Sequence, residues 1–252
     1  MTEQDELLKK RWKELAENSY RNNSYLFTGF LGESELSLFY TVEKELMYAG
    51  VKIFGGRENA VRNMVRFGSF EEFGYEEEFP ICCIRIEPLQ QKFADTFSHR
   101  DFLGAVMNLG LERSEIGDIV VQNNMAFLFA SQRMTPVIVE QLDKVKHTHV
   151  KCTVTQELPK EAKVRMERMT LQVSSVRTDA VAAKVFRLSR NEMLTHFSSK
   201  KVFVNGRLCE NNSYNLKEED VVSVRGFGKF RYAGAVSLSK KGKTNIIVEK
   251  YI

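Results

Sequence analysis

The sequence predicts an α+β protein in three parts: a mainly helical amino-terminal domain over residues 1–75, a β-α-β-β-α-β middle domain over 80–155, and a helix-and-strand domain with a terminal hairpin over 170–252. Three observations carry this. Apolar residues recur at helical spacing near the amino terminus. Strand-like and helix-like runs alternate in a countable order from residue 81 to 155. After Val176, two short helical patterns precede runs that alternate apolar with polar residues. A chain of 252 residues, 43% hydrophobic, is long enough for two or three buried cores.

Leu7, Leu8, Trp12 and Leu15 fit one face of a first helix, and Leu36, Phe39, Tyr40 and Met47 fit a second that begins after Gly32. Residues 51–54 read as a short strand ending at Gly55-Gly56, and a helix is expected over 58–67 beside Arg57, with Arg62 and Arg66 on it. The glycine pair lacks the GxGxxG or GxxxxGK[ST] spacing that cradles nucleotide phosphates, so it is expected to be a turn. Residues 69–79, acidic and aromatic and followed by Pro80, read as a linker or capping segment.

In the middle domain the expected order is strand 81–86, helix 99–109, strand 118–121, strand 125–130, helix 136–145 and strand 150–155, with Asn123-Asn124 turning the central hairpin. This is the split ferredoxin-like order that RNA recognition domains share. Those domains stack bases on aromatic residues of their central strands within a characteristic consensus. Residues 125–130 supply Phe127 and Phe129 without it, so both rings are expected in the core and the domain is expected to be a scaffold or an auxiliary surface.

Charge is divided along the chain. Residues 160–252 hold 19 Lys+Arg against 9 Asp+Glu, net +10, and residues 1–159 hold 18 against 24, net −6. The carboxy-terminal part suits a polyanion. There, Val181, Val185 and Leu188 give one helix an apolar stripe, and Ser189 with Glu192 forms a capping box that starts a second helix, with Met193, Leu194 and Phe197 facing inward. Val202, Val204, Val222 and Val224 follow strand periodicity, and Asn205-Gly206 is a turn. Arg177, Lys184, Arg187, Arg190, Lys200, Lys201, Arg207, Lys217, Arg225, Lys229 and Arg231 surround this core, few of them expected to have an acid nearby to pair with. Arg190 falls in the first turn of the second helix, where outward-pointing amides favour an anion, so phosphate is the expected ligand of this region. The final segment reads as a hairpin with Lys240, Lys241 and Lys243 near its tip.

RTDAVAAKVFRLSRNEM, KKVFVNGR and EEDVVSVRGFGKF together resemble the S4 RNA-binding domain, with Thr178, Lys201 and Glu219 departing from its usual residues. The resemblance implies an RNA-binding surface formed by Arg177, Lys184, Arg187, Ser189, Arg190, Lys200, Lys201, Asn205, Arg207, Arg225, Lys229 and Arg231. FGGRENAVRNMV and SHRDFLGAVMNLGLERSEIGDIVV, placed ahead of such a domain, are similar to the YlmH-type proteins of Gram-positive bacteria. That likeness implies a non-enzymatic factor of ribosome-associated quality control. Its implied partners are the rRNA of the large subunit, peptidyl-tRNA on stalled subunits and other quality-control proteins, and cell division has also been ascribed to the family.

Enzymatic alternatives find little support. His99-Arg100-Asp101 lacks the glycine-rich loop and DFG of a kinase, and its Asp is expected to cap a helix with Ser98. His147-x-His149 offers two metal ligands with no third, and GxSxG, HExxH and an adenosylmethionine loop are absent, so no metal or cofactor is expected. Cys82, Cys83, Cys152 and Cys209 show no CxxC spacing and suit a reduced cytoplasm. The first residues hold no apolar signal core and no run reaches the roughly 18 apolar residues of a membrane span, so no membrane association is expected. An RNA-modifying enzyme with an S4 targeting module, as in pseudouridine synthases, and a cell-division interaction protein stand as alternatives.

Overall fold

The computed structural model describes residues 2–156, 166–238 and 242–251. The chain forms two compact units, Met1–Lys163 and Val164–Ile252. The expected parts 1–75 and 80–155 both lie in the first unit.

The first unit opens with α1 (Glu3–Asn22), whose Thr2 and Asp5 form a capping box. Its buried stripe is Trp12, Ala16 and Ser19, spaced by four and three residues. Leu8 and Leu15 flank that stripe half-buried, but Leu7, expected on the same face, is 67% exposed. After β1 (Leu26–Phe27), the single helix expected through Met47 is broken into α2 (Glu33–Phe39) and α3 (Glu43–Leu46). The Thr41 hydroxyl donates to the Leu38 carbonyl at the break, and Met47 is left exposed. β2 (Lys52–Phe54) follows.

The helix expected over 58–67 does not form. Residues 64–67 are instead β3 (Met64–Phe67), buried throughout and central in an antiparallel sheet of order β1-β3-β2. The short helix α4 (Phe70–Phe73) leads to the middle region. There the elements are β4 (Ile81–Pro88), α5 (His99–Met107), β5 (Ile116–Gln122), β6 (Met125–Ser131), α6 (Thr135–Gln141), β7 (Lys144–Val145) and β8 (Thr148–Thr155). The expected helix to residue 145 therefore ends early, and its last residues form β7, a two-residue partner of β8. Every pairing in the sheet β5-β6-β4-β8-β7 is antiparallel, and the four long strands take the split ferredoxin-like order. Asn123 and Asn124 adopt φ of 48° and 60°, the mirror-turn geometry expected of them.

One face of this sheet packs on α5 and α6 through Ile84, Ile86, Phe102, Val106, Leu128 and Ile138. The other face is covered too. Phe129, with Ile81, Cys83 and Val120, packs against Phe30, Met64 and Phe79 from the amino-terminal region. Gly117 admits this contact because a Cβ there would lie 2.6 Å from the Phe30 ring. Gly56 is a structural turn, with φ of +89° and a position where a Cβ would lie 2.4 Å from the Phe129 ring.

A polar clamp secures the same junction. The buried Asp118 carboxylate accepts from Arg57 at 2.9 and 3.2 Å, from the Val61 amide at 2.9 Å and from the Arg62 amide at 3.0 Å. Arg62 in turn donates to the carbonyls of Ile116, Phe30 and Arg113. Burial lowers the Arg62 pKa to about 10, still well above neutrality, so the guanidinium stays charged. Arg66 is buried as well, donating to Glu76 and the Glu77 carbonyl with its guanidinium 4.6 Å from the Tyr25 ring centroid. The acidic segment 69–79 thus serves as a cap tied down by Arg66.

The second unit comprises β9 (Met166–Val173), α7 (Thr178–Phe186), α8 (Arg190–Ser198), β10 (Val202–Val204), β11 (Arg207–Leu208), β12 (Val221–Val224), β13 (Gly228–Leu238) and β14 (Thr244–Tyr251). They form one antiparallel sheet of order β11-β10-β12-β13-β14-β9, with both helices packed on it through Val181, Val185, Met193, Phe197, Val222 and Phe230. The terminal hairpin forms as expected. Sequence patterning missed β9, which pairs with β14 from Met166 to Val173. Among the described residues no helix is long and apolar enough to cross a membrane.

Candidate nucleic-acid interface

The basic residues of the second unit are organised by a tight helix pair. α7 ends at Arg187, which takes a left-handed φ of 56°, and α8 begins three residues later. The expected capping box is present: the Glu192 amide donates to the Ser189 hydroxyl at 3.2 Å and the Ser189 amide donates to the Glu192 carboxylate at 2.7 Å. Replacing a Ser cap by Ala costs about 1 kcal/mol. The Ser189 amide, aided by its hydroxyl, holds the Glu192 carboxyl below its ordinary range. The carboxylate's share of the cap's stability is therefore full above the ordinary Glu pKa and is lost as pH falls through the lower folded value, while the bond from the Glu192 amide to the Ser189 hydroxyl persists.

This turn gathers three cations. Lys184 from the last turn of α7, Arg187 at its cap and Arg190 in the first turn of α8 line one concavity of about 380 Å³, together with Val173, Ala183 and Leu188. A cation at a helix carboxy terminus is electrostatically favoured and one at an amino terminus is not, so Lys184 and Arg187 suit their helix while Arg190 does not. The compensation for Arg190 is Asp179, a buried residue that sequence reasoning overlooked. Its carboxylate accepts from Arg177 at 2.9 and 3.1 Å and from the Ala180 amide at 2.8 Å, with Arg190 at 3.5 Å. The signal was present in the Arg-x-Asp spacing. Arg190 stays 58% exposed at its side chain, so much of its donor capacity faces solvent.

The expectation that few of these cations have a nearby acid is corrected by the fold, in which acids close in sequence and on distant elements both reach them. Arg177 pairs with Asp179, Lys200 lies 3.5 Å from Glu210, and Arg231 pairs with both Glu219 and Glu249. Asn205 sits in its expected left-handed turn, donating to Asp220 at 2.7 Å and accepting from the Val221 amide at 2.9 Å, so its side chain holds the turn. Lys201 and Arg225 are adjacent, the Arg225 amide donating to the Lys201 carbonyl, and Lys201, Arg207 and Arg225 are exposed while Lys229 is half-buried. Lys217 is exposed, and its amide donates to Asp220.

The departures from the S4 pattern are accommodated. Thr178 is fully buried and its hydroxyl donates to the Tyr214 carbonyl at 2.9 Å. Glu219 keeps a positive φ of 71° where the pattern has glycine. Lys240 and Lys241 lie outside the described residues.

In the first unit Phe127 and Phe129 are buried as expected, but on the sheet face opposite the helices. Phe129, the ring that would serve base stacking on an open sheet, lies beneath Phe30 and Phe79. The kinase-like triplet caps α5, for the Asp101 carboxylate accepts from the hydroxyl and amide of Ser98, which with Lys146 hold its pKa at about 2. Burial pushes the Cys83 thiol up to about 12 and the Cys152 thiol up to about 11, so both carry their protons at neutral pH. Among the described residues no three His, Cys, Asp or Glu side chains converge to hold a metal ion.

Residues 75–158 match the family described as "Putative RNA-binding domain in YlmH". The chain is 29% identical over 247 residues to the ribosome-associated protein quality control protein P2 of Bacillus subtilis (strain 168), covering 95% of this chain and 91% of that protein. It is also similar, at 20% identity and a TM-score of 0.47, to the structure of the cell division protein YlmH from Streptococcus pneumoniae, covering 65% of this chain and 96% of that one. Residues 75–158 thus resemble the RNA-binding domain described for YlmH, and the similarity to the Bacillus protein runs over nearly the whole chain.

Proposed function

We propose that this protein is a non-enzymatic RNA-binding factor of the cytoplasm that docks on the large ribosomal subunit and acts in quality control of stalled subunits carrying peptidyl-tRNA. The observation that carries the reading is the concavity lined by Lys184, Arg187 and Arg190, which gathers three cations at a capped helix start. Phosphates of structured RNA fit that surface by charge and by the outward amides of α8. The name of the Bacillus relative supports the ribosomal setting, and the description of the matched family supports RNA as the ligand. With Phe129 covered, the middle region contributes through its outer surfaces and not through bases stacked on that ring.

Sedimentation of the full chain with separated ribosomal subunits at several salt concentrations tests this. Co-sedimentation with the large subunit, falling steeply as salt rises, is expected. Binding indifferent to salt, or equal binding to both subunits, would count against phosphate-directed docking on the large one.

A further inference from the structure

The loop between β12 and β13 holds Phe227 in an unusual setting. Gly226 and Gly228, on either side, adopt φ of +92° and +113°, and a Cβ at either would meet nothing within 4 Å. Backbone conformation alone therefore demands the two glycines, and its product is a ring held at the tip of a tight loop. The Phe227 amide donates to the Val224 carbonyl at 2.9 Å and Val224 pairs with Gly228, so the backbone of the loop is closed.

Phe227 is 41% exposed. Its neighbours are rings set at steep angles, His196 with centroids 5.0 Å apart at 71° and Phe186 at 6.0 Å and 53°. Neither ring lies stacked flat on it. Two cations lie on the surrounding elements. Arg225 belongs to the same loop, with its guanidinium 5.7 Å from the Phe203 ring centroid, and Lys250 lies 5.8 Å from that of Phe186.

We propose that Phe227 is a stacking platform for an unpaired nucleobase, with Arg225 and Lys250 placed for the flanking phosphates. This rests on the RNA-binding reading and sharpens it, since it makes the ligand an RNA with an extruded or single-stranded base. A part-exposed ring in a basic unit suits a base, which offers a π-face next to negative charge, better than an apolar peptide, which needs a groove.

The test uses the full chain with two RNA hairpins, one fully paired and one carrying a single-nucleotide bulge. The parent protein is expected to prefer the bulged hairpin. Phe227→Leu keeps apolar contact with Phe186 but removes the π-face, and it should weaken binding to the bulged hairpin by roughly 5- to 100-fold, leave the paired hairpin unaffected and leave the salt dependence unchanged. Phe227→Trp should retain the preference. A Phe227→Leu protein with the parent's preference, or a parent without any, overturns the stacking assignment while leaving phosphate-directed RNA binding intact. A parent that binds neither hairpin overturns both.

Discussion

Asp118→Ala is expected to destabilise the first unit by about 3 to 5 kcal/mol and to lower its melting temperature by roughly 6 to 20 °C. The substitution removes the acceptor for Arg57 and for two backbone amides at once. The Arg57 side chain is only 18% exposed, so its charge is left largely buried and unpaired. Arg62 loses the acid nearest its own amide while still donating to three carbonyls. Thermal denaturation of the full chain, followed by a probe reporting on Trp12 in the first unit, measures the effect. A shift of less than about 2 °C would mean that the clamp is not a determinant of stability.

The second large effect concerns RNA. Replacing Lys184, Arg187 and Arg190 together by glutamine is expected to weaken binding of structured RNA by roughly a hundredfold or more and to make the slope of log affinity against log salt shallower by roughly 2 to 3. Glutamine is chosen at Arg190 because a glutamate there would face the buried Asp179 carboxylate, 3.5 Å from the present guanidinium. Arg177 continues to neutralise Asp179 in the triple variant, so folding should be preserved. A normally folded triple variant with the parent's affinity and slope would reduce the three side chains to solvated charges.

Features set by near neighbours were legible in the sequence. The Ser189 box, the Asn205-Gly206 and Asn123-Asn124 turns and the strand-helix order of the middle region all depend on residues within a few positions of one another. Failures came where a distant partner decides. Met64–Phe67 is an apolar run short enough to be helix or strand, and pairing with β1 and β2 makes it a strand. β9 carries charged and polar residues and is a strand because β14, some 75 residues on, supplies its hydrogen bonds. The site was legible in part for the same reason. Lys184, Arg187 and Arg190 are brought together by a local turn, whereas the Arg231–Glu249 pair exists only through the register of β13 with β14.

The doubly covered sheet separates two meanings of the word domain. The stretch recognisable by descent begins at residue 75, yet Phe30 and Met64, which close its sheet, lie well before that point. A fragment cut at that boundary would bare Phe129, Ile81 and Val120 to water and strand Asp118 without Arg57, Val61 and Arg62. Such a surface recruits other copies of itself, so the excised piece is expected to aggregate while residues 1–163 stay monodisperse. Heredity has kept a segment that thermodynamics does not recognise as self-sufficient. Insertions and deletions between residues 57 and 62 should accordingly be as damaging as those in the inherited segment itself, because that loop supplies part of its neighbour's interior.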